Sequence, residues 1–352
     1  MMRVLVVTDA WKPQVNGVVH SLEAIAREAP ALGAEIHFCT PEGFPTVGLP
    51  SYREIRLAIA SPRAVAQRID AIGADHVHIA TEGPLGLAAR RICLLRKAPF
   101  TTSYHTRFPE YLHARTHFPM RWSYVALRAF HNAGAGVMAS TPRLARELQE
   151  RGFRRMMIWS RGVDHELFRP RPSVLNLPHP IFFYAGRVAI EKNLEAFLSL
   201  DLPGSKVVVG DGPARAALQA AFPEAHFLGM QKGETLAQLY ASADVFVFPS
   251  RTDTFGIVML EAMASGLPVA AFPVSGPLDV ATPGAGVLSE DLRTACLGAL
   301  DLSREAARAH ALRYTWAASA RQFLDNIGIA RAARRSAEQR QLFHDRQTVE
   351  AR

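Results

Sequence analysis

The sequence predicts an α/β protein of two doubly wound domains, and three observations carry that prediction. Short apolar runs alternate with helical stretches, the pattern of a parallel sheet covered by helices on both faces. The alternation breaks in a proline-rich stretch and then starts again. The 352 residues are too many for one ordinary domain, and with 49% hydrophobic and 20% charged residues there is apolar material for two cores.

Residues 3–8 read as a buried strand, since the apolar run meets Asp9 and Lys12 too soon to be a signal peptide. A loop at 9–17 and a helix over about 18–32 follow. Runs at 36–39, 76–79, 100–103 and 136–139 read as further strands. Pro170, Pro172, Pro178 and Pro180 resist helix and central strand alike, so residues 170–180 are the expected linker. Strands resume at 181–185, 206–209, 225–228, 245–248 and 269–271. The expected domains are therefore 1–170 and 178–312, and residues 331–352 form a basic polar tail, a helix that frays or is disordered. No stretch approaches the roughly 20 apolar residues of a membrane-spanning helix. Cys39, Cys93 and Cys296 lack metal-ligand spacing and read as reduced core residues of a cytosolic chain.

Charge is unevenly placed. Residues 1–170 carry 22 Lys and Arg against 14 Asp and Glu, whereas residues 171–352 carry 18 of each. The whole net charge of +8 therefore lies in the first half, which points that half at an anionic partner: membrane surface, acidic substrate or nucleic acid.

Three stretches carry chemistry. Ala185-Gly186-Arg187-Val188-Ala189-Ile190-Glu191-Lys192-Asn193 follows a strand and precedes a helix. Gly186 permits a tight turn, and Arg187 and Lys192 beside a helix start suit a pyrophosphate, although solvated charges at a strand end would read the same. Val209-Gly210-Asp211-Gly212-Pro213 also follows a strand, and its glycines allow close backbone approach to a ligand or simply a tight βα turn. The longest stretch runs from Asp244 to Ala270: a buried strand to Pro249, a loop with Asp253, Thr254, Phe255 and Gly256, then a helix from Ile257 to Gly266 with Glu261 two turns in. Amides at Phe255, Gly256 and Ile257 would face an anion at that helix start. One carboxylate can then hold sugar hydroxyls and the other ribose hydroxyls.

This last stretch resembles the retaining family-4 glycosyltransferases of the GT-B fold. Their mark is two acidic residues separated by seven others, with Phe-Gly between them and Glu-Ala-Met-Ala-x-Gly-x-Pro-Val following; Asp253 and Glu261 match that pair, although many members have Glu first. Thr-Asp-Thr-Phe-Gly is similar to the lipid-directed branch of α-mannosyltransferases and sulfolipid-type enzymes. The loop Thr8–Val18 looks like the family loop over the donor phosphates and sugar, with Asn16 and Gly17 at its tip. Ser103-Tyr104-His105-Thr106 looks like the branch motif whose His contacts the donor sugar. Arg161-Gly162-Val163-Asp164 matches a segment that usually begins with Asn, and residues 313–330 resemble the C-terminal helix that crosses back to the first domain.

The resemblance implies two Rossmann-like domains facing a central cleft and a retaining hexosyl transfer from GDP-mannose or a UDP-hexose. His105, Arg187, Lys192 and Asp253 are its catalytic candidates. Asn16, Gly17, Gly186, Gly210, Asp211, Thr254, Phe255, Gly256, Ile257 and Glu261 are its donor-binding candidates. No Asp-x-Asp motif is present, so no metal and no cofactor are expected: Arg187, Lys192 and backbone amides stabilise the leaving diphosphate instead. Arg90, Arg91, Arg96 and Lys97 interleave with Ile92, Leu94 and Leu95, and a second basic group runs from Arg143 to Arg155. That favours a lipid acceptor reached from the cytoplasmic face by peripheral contact with anionic membrane. The alternative is a soluble glycan or small-molecule acceptor. An epimerase, a nicotinamide-dependent dehydrogenase and a basic nucleic-acid-binding protein are the remaining readings. The first would need an acid/base pair at the sugar and is disfavoured by the family-4 stretch, the second lacks Gly-x-Gly-x-x-Gly in residues 8–17, and the third lacks zinc or RNA-recognition spacing in the first half.

Overall fold

The structure is a computed structural model that describes residues 1–14, 16–49 and 52–350. The first half contains β1 (Met2–Val7), β2 (Ala34–Cys39), β3 (Thr46–Leu49), β4 (Tyr52–Ala58), β5 (His76–Ile79), β6 (Phe100–Tyr104), β7 (Gly136–Ala139) and β8 (Met156–Ile158). Six of them form a parallel sheet in the order β2-β1-β5-β6-β7-β8, while β3 and β4 pair as a separate antiparallel ribbon. The second half contains β9 (Ile181–Ala185), β10 (Ser205–Val209), β11 (His226–Gly229), β12 (Val245–Phe248), β13 (Val269–Ala271) and β14 (Gly286–Leu288), all parallel in the order β11-β10-β9-β12-β13-β14. Both sheets are doubly wound, as the alternation of strand and helix predicts.

Parallel strands buried on both faces read as near-continuous apolar runs. In β9, Ile181, Phe183 and Ala185 enter one core, while Phe182 and Tyr184 enter the core on the opposite face. In the first sheet the equivalent positions of β5 and β6 are polar. His76 and His78 share the Thr101 hydroxyl at 2.9 Å each, and His78 reaches Ser103 at 2.9 Å. Burial pushes the His76 pKa down to about 3, so that imidazole is neutral in the fold.

The chain divides into two compact units. One comprises Met1–His105, Pro119–Ser160 and the residues from Ala317 onward; the other comprises Thr106–Phe118 and Arg161–Trp316. The division falls at Arg161 rather than between 170 and 178, and Thr106–Phe118 groups with the second unit. Residues 170–180 lack helix and strand, as their prolines require. The helix from Trp316 runs to Glu350, beyond the expected end near 330, and the tail's last two positions, 351 and 352, lie outside the described residues. Its Ala320, Phe323 and Ile327 are fully buried against Val4, Val6, Leu22 and Trp159 of the first unit. Cys39, Cys93 and Cys296 are buried free thiols, and burial raises the pKa of each to about 11 or 12.

Candidate active site

Ligands of open α/β sheets bind beyond the carboxyl ends of the strands, where strand order reverses. In the second unit that point lies between β9 and β12, and the loops leaving these two strands carry Gly186–Asn193 and Pro249–Gly256. A short 3₁₀ turn, Ile190–Lys192, ends at Asn193 in the left-handed region, φ 56°. The Asn193 side-chain Nδ2 then donates to the Pro249 carbonyl at 3.1 Å and ties the loops together. Lys192 Nζ donates to Asp253 Oδ1 at 2.5 Å, with both side chains about one-fifth exposed or less. Asp253 Oδ2 is buried and has no hydrogen-bond partner among the described residues. Burial favours the neutral amine of Lys192, yet the charge of Asp253 beside it outweighs this and holds its pKa above the ordinary value.

Segment Thr106–Phe118 completes this corner. Tyr111, on the helix Phe108–Thr116, lies beside Thr252, Asp253 and Lys192. Burial and the Asp253 charge raise its pKa, so the phenol stays protonated. Arg107 donates to Ser275 Oγ at 2.7 Å and lies 3.6 Å from Glu110. Gly276, next to Ser275, sits where a Cβ would fall 3.2 Å from the carbonyls of both Asp253 and Phe255.

Gly256 precedes the helix Ile257–Ala264 with φ 83°, and no side chain caps that helix. Phe255 is buried, while Thr254, Gly256 and Ile257 are half-buried. Glu261 is the fifth residue of this helix, just over one turn in rather than two, because the helix begins at Ile257 and ends at Ala264. It is buried, and Tyr240 donates to its Oε2 at 3.0 Å. Burial pushes its pKa up to about 7 against the opposing effect of that hydrogen bond.

The two glycine loops pack backbone on backbone. A Cβ on Gly210, φ 131°, would lie 1.8 Å from the Gly186 carbonyl oxygen. The Gly186 amide donates to Val209 and the Val188 amide to Asp211. The Asp211 carboxylate is exposed and turned to its own loop, accepting from the Gly212 amide at 2.8 Å and from Arg215 at 3.1 Å. Arg187 is half-buried, and its carbonyl accepts from the Tyr184 hydroxyl at 2.8 Å.

In the first unit the strand order reverses between β1 and β5. Asn16 caps the helix Gly17–Glu28: its Oδ1 accepts from the amides of Val18 and Val19 at 3.0 Å each. Gly17 is exposed at the first helical position, and Val15 lies outside the described residues. Asp9 is buried and accepts from the Leu85 and Gly86 amides at 3.0 and 3.3 Å, so its charge serves the start of the helix Pro84–Leu95. His105 follows β6, with its ring edge-on to Trp159 at 5.5 Å.

The structure thus brings Lys192 and Asp253 into direct contact. It also adds Tyr111, Tyr184, Asn193, Tyr240, Thr252, Ser275 and Gly276, which the sequence reading passed over as candidates. Ser275-Gly276 had a usable signal, since it follows a buried strand as the other candidate loops do. The basic cluster is divided. Arg96 forms a two-point bond to Asp70 at 2.6 and 2.9 Å, and Arg90 donates to the carbonyls of Phe130 and Ala129 at 3.1 and 2.9 Å. Among the described residues no three His, Cys, Asp or Glu side chains gather as metal ligands, and no helix is long and apolar enough to cross a membrane.

Two family models match the chain: Glycosyltransferase Family 4 over residues 15–167, and Glycosyl transferases group 1 over residues 179–301. The sulfoquinovosyl transferase SQD2 of Arabidopsis thaliana is 33% identical over 66% of this chain and 49% of its own length. A GDP-mannose-dependent alpha-mannosyltransferase of Mycobacterium tuberculosis is 32% identical over 80% of this chain and 82% of its own. An alpha-monoglucosyldiacylglycerol synthase of Streptococcus pneumoniae is 26% identical over 77% of this chain and 71% of its own. The chain therefore spans about half the length of the plant relative and most of the bacterial ones. Among solved structures, sucrose-phosphate synthase from Thermosynechococcus elongatus matches with a TM-score of 0.76 at 19% identity, covering 95% of this chain and 100% of that one, a likeness of fold alone. Two doubly wound sheets, the acidic pair Asp253 and Glu261, and relatives matched over most of their length lead to one conclusion: the chain belongs to the family-4 glycosyltransferases of the GT-B fold, enzymes that transfer a sugar from a nucleotide sugar.

Proposed function

We propose that this enzyme transfers a hexose with retention of configuration from GDP-mannose or a UDP-hexose to a membrane lipid, without a divalent ion. The Lys192–Asp253 pair at the switch point of the second sheet carries the reading. Lys192 is a fixed cation where the leaving diphosphate gathers charge, and Arg187 on the same loop adds a second. The unmet Oδ2 of Asp253 is an acceptor that a sugar hydroxyl would satisfy. Glu261 holds ribose hydroxyls, His105 contacts the sugar, and the acceptor attacks from the face that the diphosphate leaves, giving its proton to the departing phosphate. The lipid acceptor and peripheral membrane contact draw on the basic first half and on a relative named as an alpha-monoglucosyldiacylglycerol synthase.

The test combines donor, acceptor and metal. A thermal-shift panel of GDP- and UDP-sugars identifies the donor by its stabilisation of the fold. Transfer to diacylglycerol or a polyprenyl lipid in detergent micelles then proceeds equally with and without EDTA. Lys192→Ala and Glu261→Ala each lower turnover about 100-fold or more while the fold persists. Normal turnover in either folded variant, or activity restored only by magnesium or manganese, defeats the assignment.

A further inference from the structure

We infer that the first unit docks on an anionic bilayer through a face built by two helices, Pro84–Leu95 and Met120–His131. This deepens the lipid-acceptor reading and rests on it for its purpose, although the contact itself is measurable without any transfer.

On the first helix, Leu87, Arg91, Leu94 and Leu95 recur at helical spacing and are all exposed. The opposite side, Leu85, Ala88, Ala89, Ile92 and Cys93, is buried in the core, so the helix cannot roll to hide those leucines. On the second helix, Trp122, Val125 and Ala129 form an exposed stripe flanked by Arg121 and Arg128, while Ser123, Leu127 and Phe130 are buried. Trp122 is 55% exposed and Leu95 75%. Arg90 joins the two helices. It stands one turn from both Leu87 and Leu94, and its guanidinium donates to the carbonyls of Ala129 and Phe130 at the end of the second helix. The leucine stripe and the tryptophan stripe therefore adjoin.

Charge selects the occupant. Neither helix contains an Asp or Glu, and together they carry Arg90, Arg91, Arg121 and Arg128. A second copy of this face would set arginine against arginine. An anionic bilayer instead offers headgroups to the cations, and acyl boundary to the leucines and to an indole, which favours that depth. The geometry also moves the docking surface away from the basic run itself, because Arg96 is held by Asp70.

The full chain is mixed with vesicles of half phosphatidylglycerol and with phosphatidylcholine vesicles. Wild type sediments with the former at low salt and is released at high salt, and its fluorescence shifts to the blue. Trp122 supplies that shift, since Trp159 and Trp316 are buried and Trp11 is half-buried. Leu94→Ser with Trp122→Ser and Val125→Ser lowers vesicle affinity about tenfold or more, whereas Arg96→Gln binds as wild type. Trp122→Gln alone, at an exposed position, covers the case in which the triple variant does not fold. Transfer to a micellar acceptor is unchanged in the triple variant and in Trp122→Gln, while transfer to a vesicle-embedded acceptor falls in both. Equal vesicle binding by wild type and variants, no binding by wild type, or a dimer that only the variants lose would each overturn the docking face. Vesicle binding that follows this pattern without transfer to any micellar lipid would instead overturn the lipid acceptor and leave the docking face standing.

Discussion

Glu261 is a carboxyl group that the fold keeps from ionising easily. Burial lifts its pKa to about 7 from an ordinary 4.5. Between those two values the folded chain keeps the proton and the unfolded chain gives it up, so stability falls as pH rises through that window. The loss is on the order of 3 kcal/mol once both states are ionised. Glu261→Gln should therefore melt higher than wild type at about pH 8 and close to it at about pH 5, as thermal denaturation at the two values would show. Nucleotide affinity should move the opposite way, tightening with pH in wild type and staying flat in the variant. A wild-type melting temperature independent of pH between those values would contradict the burial of an ionisable group. The pairing of Lys192 with Asp253 was legible as chemistry, since both residues lie on loops that leave buried strands. Tyr111 was not, because its neighbours Lys192, Thr252 and Asp253 lie about 80 to 140 residues further along the chain, and only the folded topology brings them together.

At the level of elements, fully buried apolar strands announce themselves and short half-buried ones do not. β1, β9 and β12 are nearly continuous apolar runs closed by polar or proline residues, and their limits were readable to within a residue. β8 and β14 are three-residue edge strands of intermediate burial, and the β3–β4 ribbon carries two arginines in seven residues, so neither pattern rises above a loop. Glycines were readable as turns but not as contacts. The sequence shows Gly210 after a strand; the fold shows that its missing side chain is what lets the Gly186 and Gly210 loops touch. Gly210→Ala forces a methyl into the Gly186 carbonyl and should cost on the order of 3 kcal/mol. Because the Gly186 loop must move, donor binding should weaken as well, by calorimetric titration with the preferred nucleotide. An unchanged melt and an unchanged affinity would mean that the loops do not meet as described.

Across the whole molecule, the chain leaves the first compact unit at Ser160 and returns to it only at Ala317. The proline-rich stretch 170–180 was legible as a segment without helix or strand, but it lies inside the second unit, and the unit division at Arg161 and the grouping of Thr106–Phe118 with the second unit depend on contacts that no local pattern encodes. The returning helix is part of the first core: Phe323 is fully buried against Val4, Val6 and Leu22, and Ser319 accepts from the Trp159 indole at 3.1 Å. Phe323→Ala should cost about 3–5 kcal/mol, a large share of the roughly 5–15 kcal/mol that holds a domain together. Scanning calorimetry should resolve the effect as a lowered transition of the first unit with that of the second unmoved. A single transition displaced as a whole would instead mean that the two units melt as one.

The returning helix also sets the order in which the protein is completed on the ribosome. Domains generally fold as they emerge, beginning from the N-terminus. Here the strands of the first sheet are synthesised early, yet one wall of their core is encoded after every residue of the second unit. The later-made unit is thus the first that can finish, while Val4, Val6, Leu22 and Trp159 wait uncovered through more than 150 further residues of translation. A ribosome that stops just after residue 316 releases a chain whose second unit is complete and whose first still shows its apolar interior, a ready substrate for chaperones and for proteolysis.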